Sequence, residues 1–216
     1  MTMKKHLSYF WAFLFVLTGW QAQGQDDLVS RIDLLEKGVD LEEARQLARF
    51  FAAHSEQRPD QWLPDYYAAW AQFKVAYGYR MTGANQKLEA ALDTAQIFID
   101  RALSKGGDTL ELRVMQGIIF QGRIWPDPIN RGARYSSQSI TVLKSVLAED
   151  PQHPRAPLAL GRLLYHLPVF MGGGAEAARP WLEMAQQNFA QQAVPSSLHP
   201  QWGAGETDQL LAKLEQ

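Results

Sequence analysis

One dense polar group stands out among the residues able to do chemistry. Asp127 and Arg131 lie within the stretch Trp125-Pro126-Asp127-Pro128-Ile129-Asn130-Arg131-Gly132, Arg123 and Arg134 flank it, and Tyr135 is just beyond. Guanidinium forks match carboxylate and phosphate geometry, so the group could hold an anionic ligand. It could also fix its own loop, with Asp127 capping or pairing with an arginine, the commoner use of such forks. A second stretch, Phe170-Met171-Gly172-Gly173-Gly174, precedes a helical pattern. Its amides could bind an anion at that helix N-terminus. No Lys-Ser/Thr pair of a phosphate-binding loop follows, which favours a sharp backbone turn beside a packed Phe170.

The remaining reactive residue types form no constellation. His6, His54, His153, His166 and His199 show no metal-ligand spacing, and no H-E-x-x-H or G-x-S-x-G occurs. Cysteine is absent. That removes disulfides, thiolate metal sites, cysteine nucleophiles and a lipoprotein anchor. The expectation is a protein that is not an enzyme, with no cofactor and no metal. The net charge of -2 and pI near 6.2 supply no basic field for nucleic acid or anionic lipid.

The elements that must position these residues read as helices. Residues 1–24 carry Lys4 and Lys5, an apolar run from Leu7 to Trp20, and Ala22-Gln23-Gly24. This is the three-part pattern of a cleavable secretory signal, and the run is short for a membrane span. Residues 25–216 then read as one domain in a periplasmic or secreted protein, with no membrane anchor after cleavage.

Leu28, Ile32 and Leu35 mark a first helix, and Leu41, Ala44, Ala48 and Phe51 a second. Tyr66, Trp70, Phe73 and Tyr77 recur at four, three and four residues, an aromatic stripe that predicts core. Asn85 is a candidate cap for the next helix, whose stripe is Leu88, Leu92, Ala95, Ile99 and Ala102. Asp108 with Glu111 three residues on suggests a capping box. Apolar residues occupy two faces of 109–123, as in an inner layer. The two prolines and Gly132 predict a loop over 124–132, with helix resuming over 134–148. Asp150-Pro151 makes a tight turn, and a further helix carries Ala156, Leu160, Leu163, Leu164 and Leu167. Gly161 falls where paired helices would cross, and Gly117 takes the same place one unit earlier. A loop over 168–174, a helix over 175–191, an irregular stretch over 195–203 and a terminal helix over 206–214 complete the chain.

The joint around Asp150, Leu160, Gly161 and Leu164 resembles that between tetratricopeptide repeats. The chain more closely resembles secreted helical-repeat proteins of the Bacteroidota whose function is not established. Carrying segments are Gln121-Gly122-Arg123-Ile124, 127–132, Tyr135-Ser136, 170–174 and His199-Pro200-Gln201-Trp202-Gly203. The likeness is strong over 110–203. Arg113 and Pro157 stand where the tetratricopeptide pattern prefers tryptophan. A weaker similarity is to the helical-repeat accessory subunit of some periplasmic solute transporters. These resemblances imply an all-α fold: a right-handed solenoid of stacked antiparallel helix pairs, tetratricopeptide-like, with a short terminal capping helix.

The expected function is a scaffold binding a protein or peptide partner in the cell envelope. The alternative is a small-ligand carrier or transporter accessory subunit. Loops on one edge of a repeat scaffold are where binding is sought. The candidate binding residues are therefore Arg123, Asp127, Arg131, Arg134, Tyr135, Phe170, Gly172, Gly173 and Gly174, together with His199 and Trp202.

Overall fold

The computed structural model describes residues 27–215, so the expected signal segment lies outside them. Among the described residues all regular structure is helical, as the periodicity predicts. Helix α1 covers 27–37. It is followed by α2 (Leu41–Glu56), α3 (Leu63–Met81), α4 (Asn85–Ser104) and α5 (Thr109–Ile124). Then come α6 (Pro128–Glu149), α7 (Arg155–His166), a short 3-10 turn (Val169–Met171), α8 (Ala175–Gln191) and α9 (Ala204–Leu214). No described helix is long and apolar enough to cross a membrane.

Consecutive helices form hairpins. α3 packs against α2 and α4, α5 against α6, α7 against α8, and α9 against α8. α3, α5 and α7 also meet one another in series, so one layer runs through the hairpins. Small residues permit the closest approaches. A Cβ on Gly161 would lie 2.7 Å from Leu182 Cγ, and one on Gly117 would lie 2.8 Å from Leu143 Cγ. The two glycines thus occupy equivalent α5/α6 and α7/α8 crossings, as their spacing suggested. α3 is the central element. Tyr66, Trp70 and Phe73 of its stripe are buried, while Tyr77 is 46% exposed at the open end of the helix.

Local signals explain most helix starts, and some expectations need correction. α2 opens on a full capping box: the Asp40 side chain accepts from Glu43 N, and Glu43 accepts from Asp40 N. At α5 the box is only half made. Asp108 accepts from the amides of Leu110 and Glu111, but the Glu111 carboxylate turns inward to Arg155. Asn85 does not cap α4; it stands one residue inside the helix, and its amide reaches Pro126 O at 3.5 Å. The loop expected over 124–132 shrinks to three residues. Asp127 is the N-cap of α6, and Pro128 sits in the first turn, where a missing N–H costs nothing. Gly132 is therefore helical, and Arg131 lies on the first turn of α6.

Candidate functional site

The expected loop cluster is real as a neighbourhood but organised differently. Asp127 does not pair with an arginine. It accepts from Asn130 N at 3.2 Å and Asn130 Nδ2 at 2.8 Å. Those two bonds, helped by the Arg131 charge, hold its carboxyl below the usual range. The arginines turn instead to α4. Arg123 contacts Glu89 at 3.3 Å and Asp93 at 2.6 Å, and Arg131 also pairs with Glu89. Glu89 thus ties the α5–α6 turn to the preceding hairpin. Arg134 is exposed with its guanidinium 5.3 Å over Tyr135, which stacks on Phe120.

The α7–α8 loop meets this turn through Met171, not Phe170. Gly132 has room for a Cβ only 3.8 Å from Met171 Cε. Phe170 is 88% exposed, against the expectation of a packed ring. A 3-10 turn spaces successive side chains about 120° apart, so a single turn cannot bring all three inward. The three glycine amides are not free for an anion. Gly172 N donates to Val169 O, Gly173 N to Pro168 O, and Gly174 N to Leu164 O. Gly172 and Gly174 have φ of 81° and 100°, which glycine alone adopts readily.

His199 and Trp202 lie elsewhere. His199 Nδ1 is 2.8 Å from Ser196 Oγ, on the wall of a cavity of about 320 Å³ shared with Glu111 and Arg155. Trp202 is buried, stacked 4.7 Å from Trp70, and its Nε1 donates to Tyr66 Oη. The candidate residues therefore divide between an edge and the interior.

The stretch over 195–203 lies across the face shared by α1, α3 and α7. Tyr67 Oη donates to Leu198 O, and Gln201 N donates to Glu36. Beyond it Arg162 of α7 pairs with Glu206 of α9 at 3.1 Å. The chain thus fills much of this face with its own C-terminal segment. Beneath that segment Glu111 and Arg155 form a buried pair, with His153 Nε2 3.4 Å from Glu111. Burial alone would raise the Glu111 carboxyl. The Arg155 charge and hydrogen bonds from His153 and Arg155 outweigh it and bring it to about 2.

A feature the sequence reading passed over lies beside Trp202. A cavity of about 460 Å³ is walled by Glu36, Lys37, Trp70, Lys74, Trp202 and Glu206. Lys74 Nζ lies 4.5 Å over the Trp70 ring and makes no ion pair among the described residues. Burial pushes its pKa down, against the pull of Glu206. The available signal was a lone cation one turn after Trp70 in an aromatic stripe. From this cavity an aromatic series continues along α3. Trp70 stacks on Phe73 at 5.6 Å, Phe73 meets Trp125 at 5.4 Å, and Tyr77 meets Trp125 at 5.8 Å. Its open end carries Met81, with Arg80 4.9 Å over Trp125. The His166 ring of α7 is partly desolvated against its neighbours, and this, with the Arg162 and Arg80 charges, lowers its pKa. An exposed aromatic edge beside cations suits a flat, apolar acid.

Fold and site define an all-helical protein of packed hairpins with a small-ligand-sized cavity on one face. It is similar to the HusA haemophore from Porphyromonas gingivalis, with 25% identity and a TM-score of 0.75. The match covers 88% of this chain and 92% of that one. That neighbour is a helical protein of the Bacteroidota, which agrees with the broad resemblance drawn from the sequence. No family model matches this chain, and no curated protein matches it.

Proposed function

We propose that this chain is an exported, non-enzymatic carrier of a small ligand of the haem class. The observation that carries the reading is the likeness to a haemophore over nearly the full length of both chains. It favours the carrier alternative over a peptide-binding scaffold. Two features of the chain support it. Its C-terminal segment occupies the face along which a repeat scaffold would receive a peptide. The outer end of the aromatic series, with Tyr77 and Met81 exposed beside half-buried Trp125, offers a surface for a planar ring, and Arg80 stands beside it for an acid group. We read the hairpins as a tetratricopeptide-like right-handed solenoid capped by α9. The serial α3–α5–α7 contacts and the equivalent glycine crossings support that reading.

Titration of hemin into the protein tests the function. The expected result is a saturable shift of the Soret band with parallel quenching of tryptophan fluorescence. Changes that rise linearly with hemin, as with an unrelated helical protein, would reject it. The protein-partner reading retains one observation. Ile129 on the first turn of α6, and Val169 and Phe170 on the 3-10 turn of the α7–α8 loop, are largely exposed. Exposed apolar residues gathered together mark interaction surfaces.

A further inference from the structure

The inner helix layer brings one histidine to the outer aromatic edge. α5 and α7 run side by side in the same direction. Arg155 of α7 meets Glu111 of α5, 44 positions away, and Arg162 donates to Gln121 Oε1, 41 positions away. Gln121 Nε2 donates back to Ala159 O at 2.9 Å, which fixes the register. One turn further on, His166 follows Arg162 and Trp125 follows Gln121, each on the same face as the residue before it. Trp125 keeps helical backbone angles as the C-cap of α5, so the register carries His166 to its level. Tyr77 meets the Trp125 ring from α3, and the Arg80 guanidinium lies 4.9 Å over it. Arg80 is also near enough for its charge to act on His166.

The other described histidines are engaged. His54 Nδ1 lies 3.0 Å from Arg58 Nη1, and its ring stacks on Phe50. His153 is buried, with Nδ1 accepting from Ala156 N, and His199 Nδ1 contacts Ser196 Oγ. The His166 ring makes no hydrogen bond among the described residues; its ring contact is Tyr165, edge-on at 5.1 Å. The residue stays accessible to solvent. Partial desolvation first, then the charges of Arg162, Arg80 and Lys213, hold its pKa below the ordinary value against the pull of Glu206. At neutral pH the ring is therefore uncharged, and one nitrogen keeps a free lone pair.

We propose that His166 is an axial ligand for the iron of a haem-class cargo whose ring lies against Tyr77 and Trp125. The proposal rests on the carrier reading and adds how the metal of the cargo is recognised. Imidazole is a common axial ligand of haem iron. A bare ion is a poor match for this site, because no group of metal-ligating side chains accompanies His166 among the described residues. A metalloporphyrin brings its other nitrogens with it and needs only the axial position filled.

Hemin and metal-free protoporphyrin IX are each titrated into the wild type, His166→Ala and His166→Gln. Tryptophan fluorescence reports affinity, and absorption and electron paramagnetic resonance spectra report the iron ligand. The wild-type hemin complex should carry the signature of an imidazole ligand. Both variants should lose that signature and bind hemin about tenfold or more weakly. Their affinity for protoporphyrin IX should stay at the wild-type value, which also shows that the site is folded. Added imidazole should restore the signature in His166→Ala. A hemin spectrum that neither variant alters would overturn the ligand and leave the carrier reading standing. An equal loss of both porphyrins would also overturn it, since the ring would then serve packing and not the iron. If neither porphyrin binds the wild type, the haem-class cargo fails and the ligand with it.

Discussion

At the scale of residues one well-buried ion pair is internal. Glu111 and Arg155 are 6% and 3% exposed and share a bidentate contact across 44 positions of sequence. Removing one member of such a pair strands the other charge in a low-dielectric setting. Glu111→Ala should therefore destabilise the fold by about 3–5 kcal/mol, measured by urea unfolding. The pair also predicts a pH dependence. Glu111 titrates near 4.5 when unfolded and near 2 when folded. Below about pH 4.5 the unfolded chain binds the extra proton, so stability falls as pH drops from there toward 2. Above that window the full contribution is present. Unfolding midpoints followed from pH 7 down to about 2.5 should show the decline, and Glu111→Gln should flatten that part of the profile. An unaltered profile would show that other carboxylates govern acid sensitivity.

At the scale of elements, helix crossings depend on positions without side chains. Gly161 brings α7 against Leu182, with no room for even a methyl group. Gly161→Leu must push α8 away or force Leu182 off its rotamer. The expected cost is about 1–3 kcal/mol, at roughly 2–4 °C of melting temperature per kcal/mol for a chain this size. A variant that melts like the wild type would remove the crossing from the account. The edge loops behave oppositely. Glu89 clamps Arg123 and Arg131, whereas Phe170 projects into solvent. The arginines there are engaged in joining two hairpins, which leaves less of their capacity for a ligand.

At the scale of the whole molecule, the C-terminal segment closes the structure. Trp202 joins α3 by stacking on Trp70 and donating to Tyr66, 136 positions away. It is 5% exposed. Trp202→Ala should leave a cavity and an unpartnered Tyr66 hydroxyl, at a cost of about 3–5 kcal/mol. Thermal melting would show it, and hydrogen exchange should report faster opening of α9 than of α4. Equal exchange in both helices would mean that the segment is not anchored through this ring. The same contact shapes the cavity of about 460 Å³ beside it, since Trp202 and the start of α9 form one of its walls. Trp202, which the sequence reading grouped with a surface site, thus matters first as the ring that holds that wall in place.

The sequence by itself determined the helices and several of their ends. Helical periodicity and capping depend on neighbours three and four positions away, so the stripes of Leu88 to Ala102 and the cap at Asp108 were legible. The helical start of α6 was equally local, but Asp127 and Pro128 were read as loop residues because prolines interrupt most patterns. The crossings at Gly117 and Gly161 were legible because close packing requires small residues at fixed intervals. Only the tertiary structure decided which polar groups meet. Glu111 reads locally as a cap, yet Arg155 draws it inward; Arg123 and Arg131 read as partners of Asp127, yet Glu89 holds them. Lys74 became notable only once Trp202 and α9 walled it in. Such pairings depend on how hairpins stack and where the chain returns, and no rule of local spacing encodes that distance.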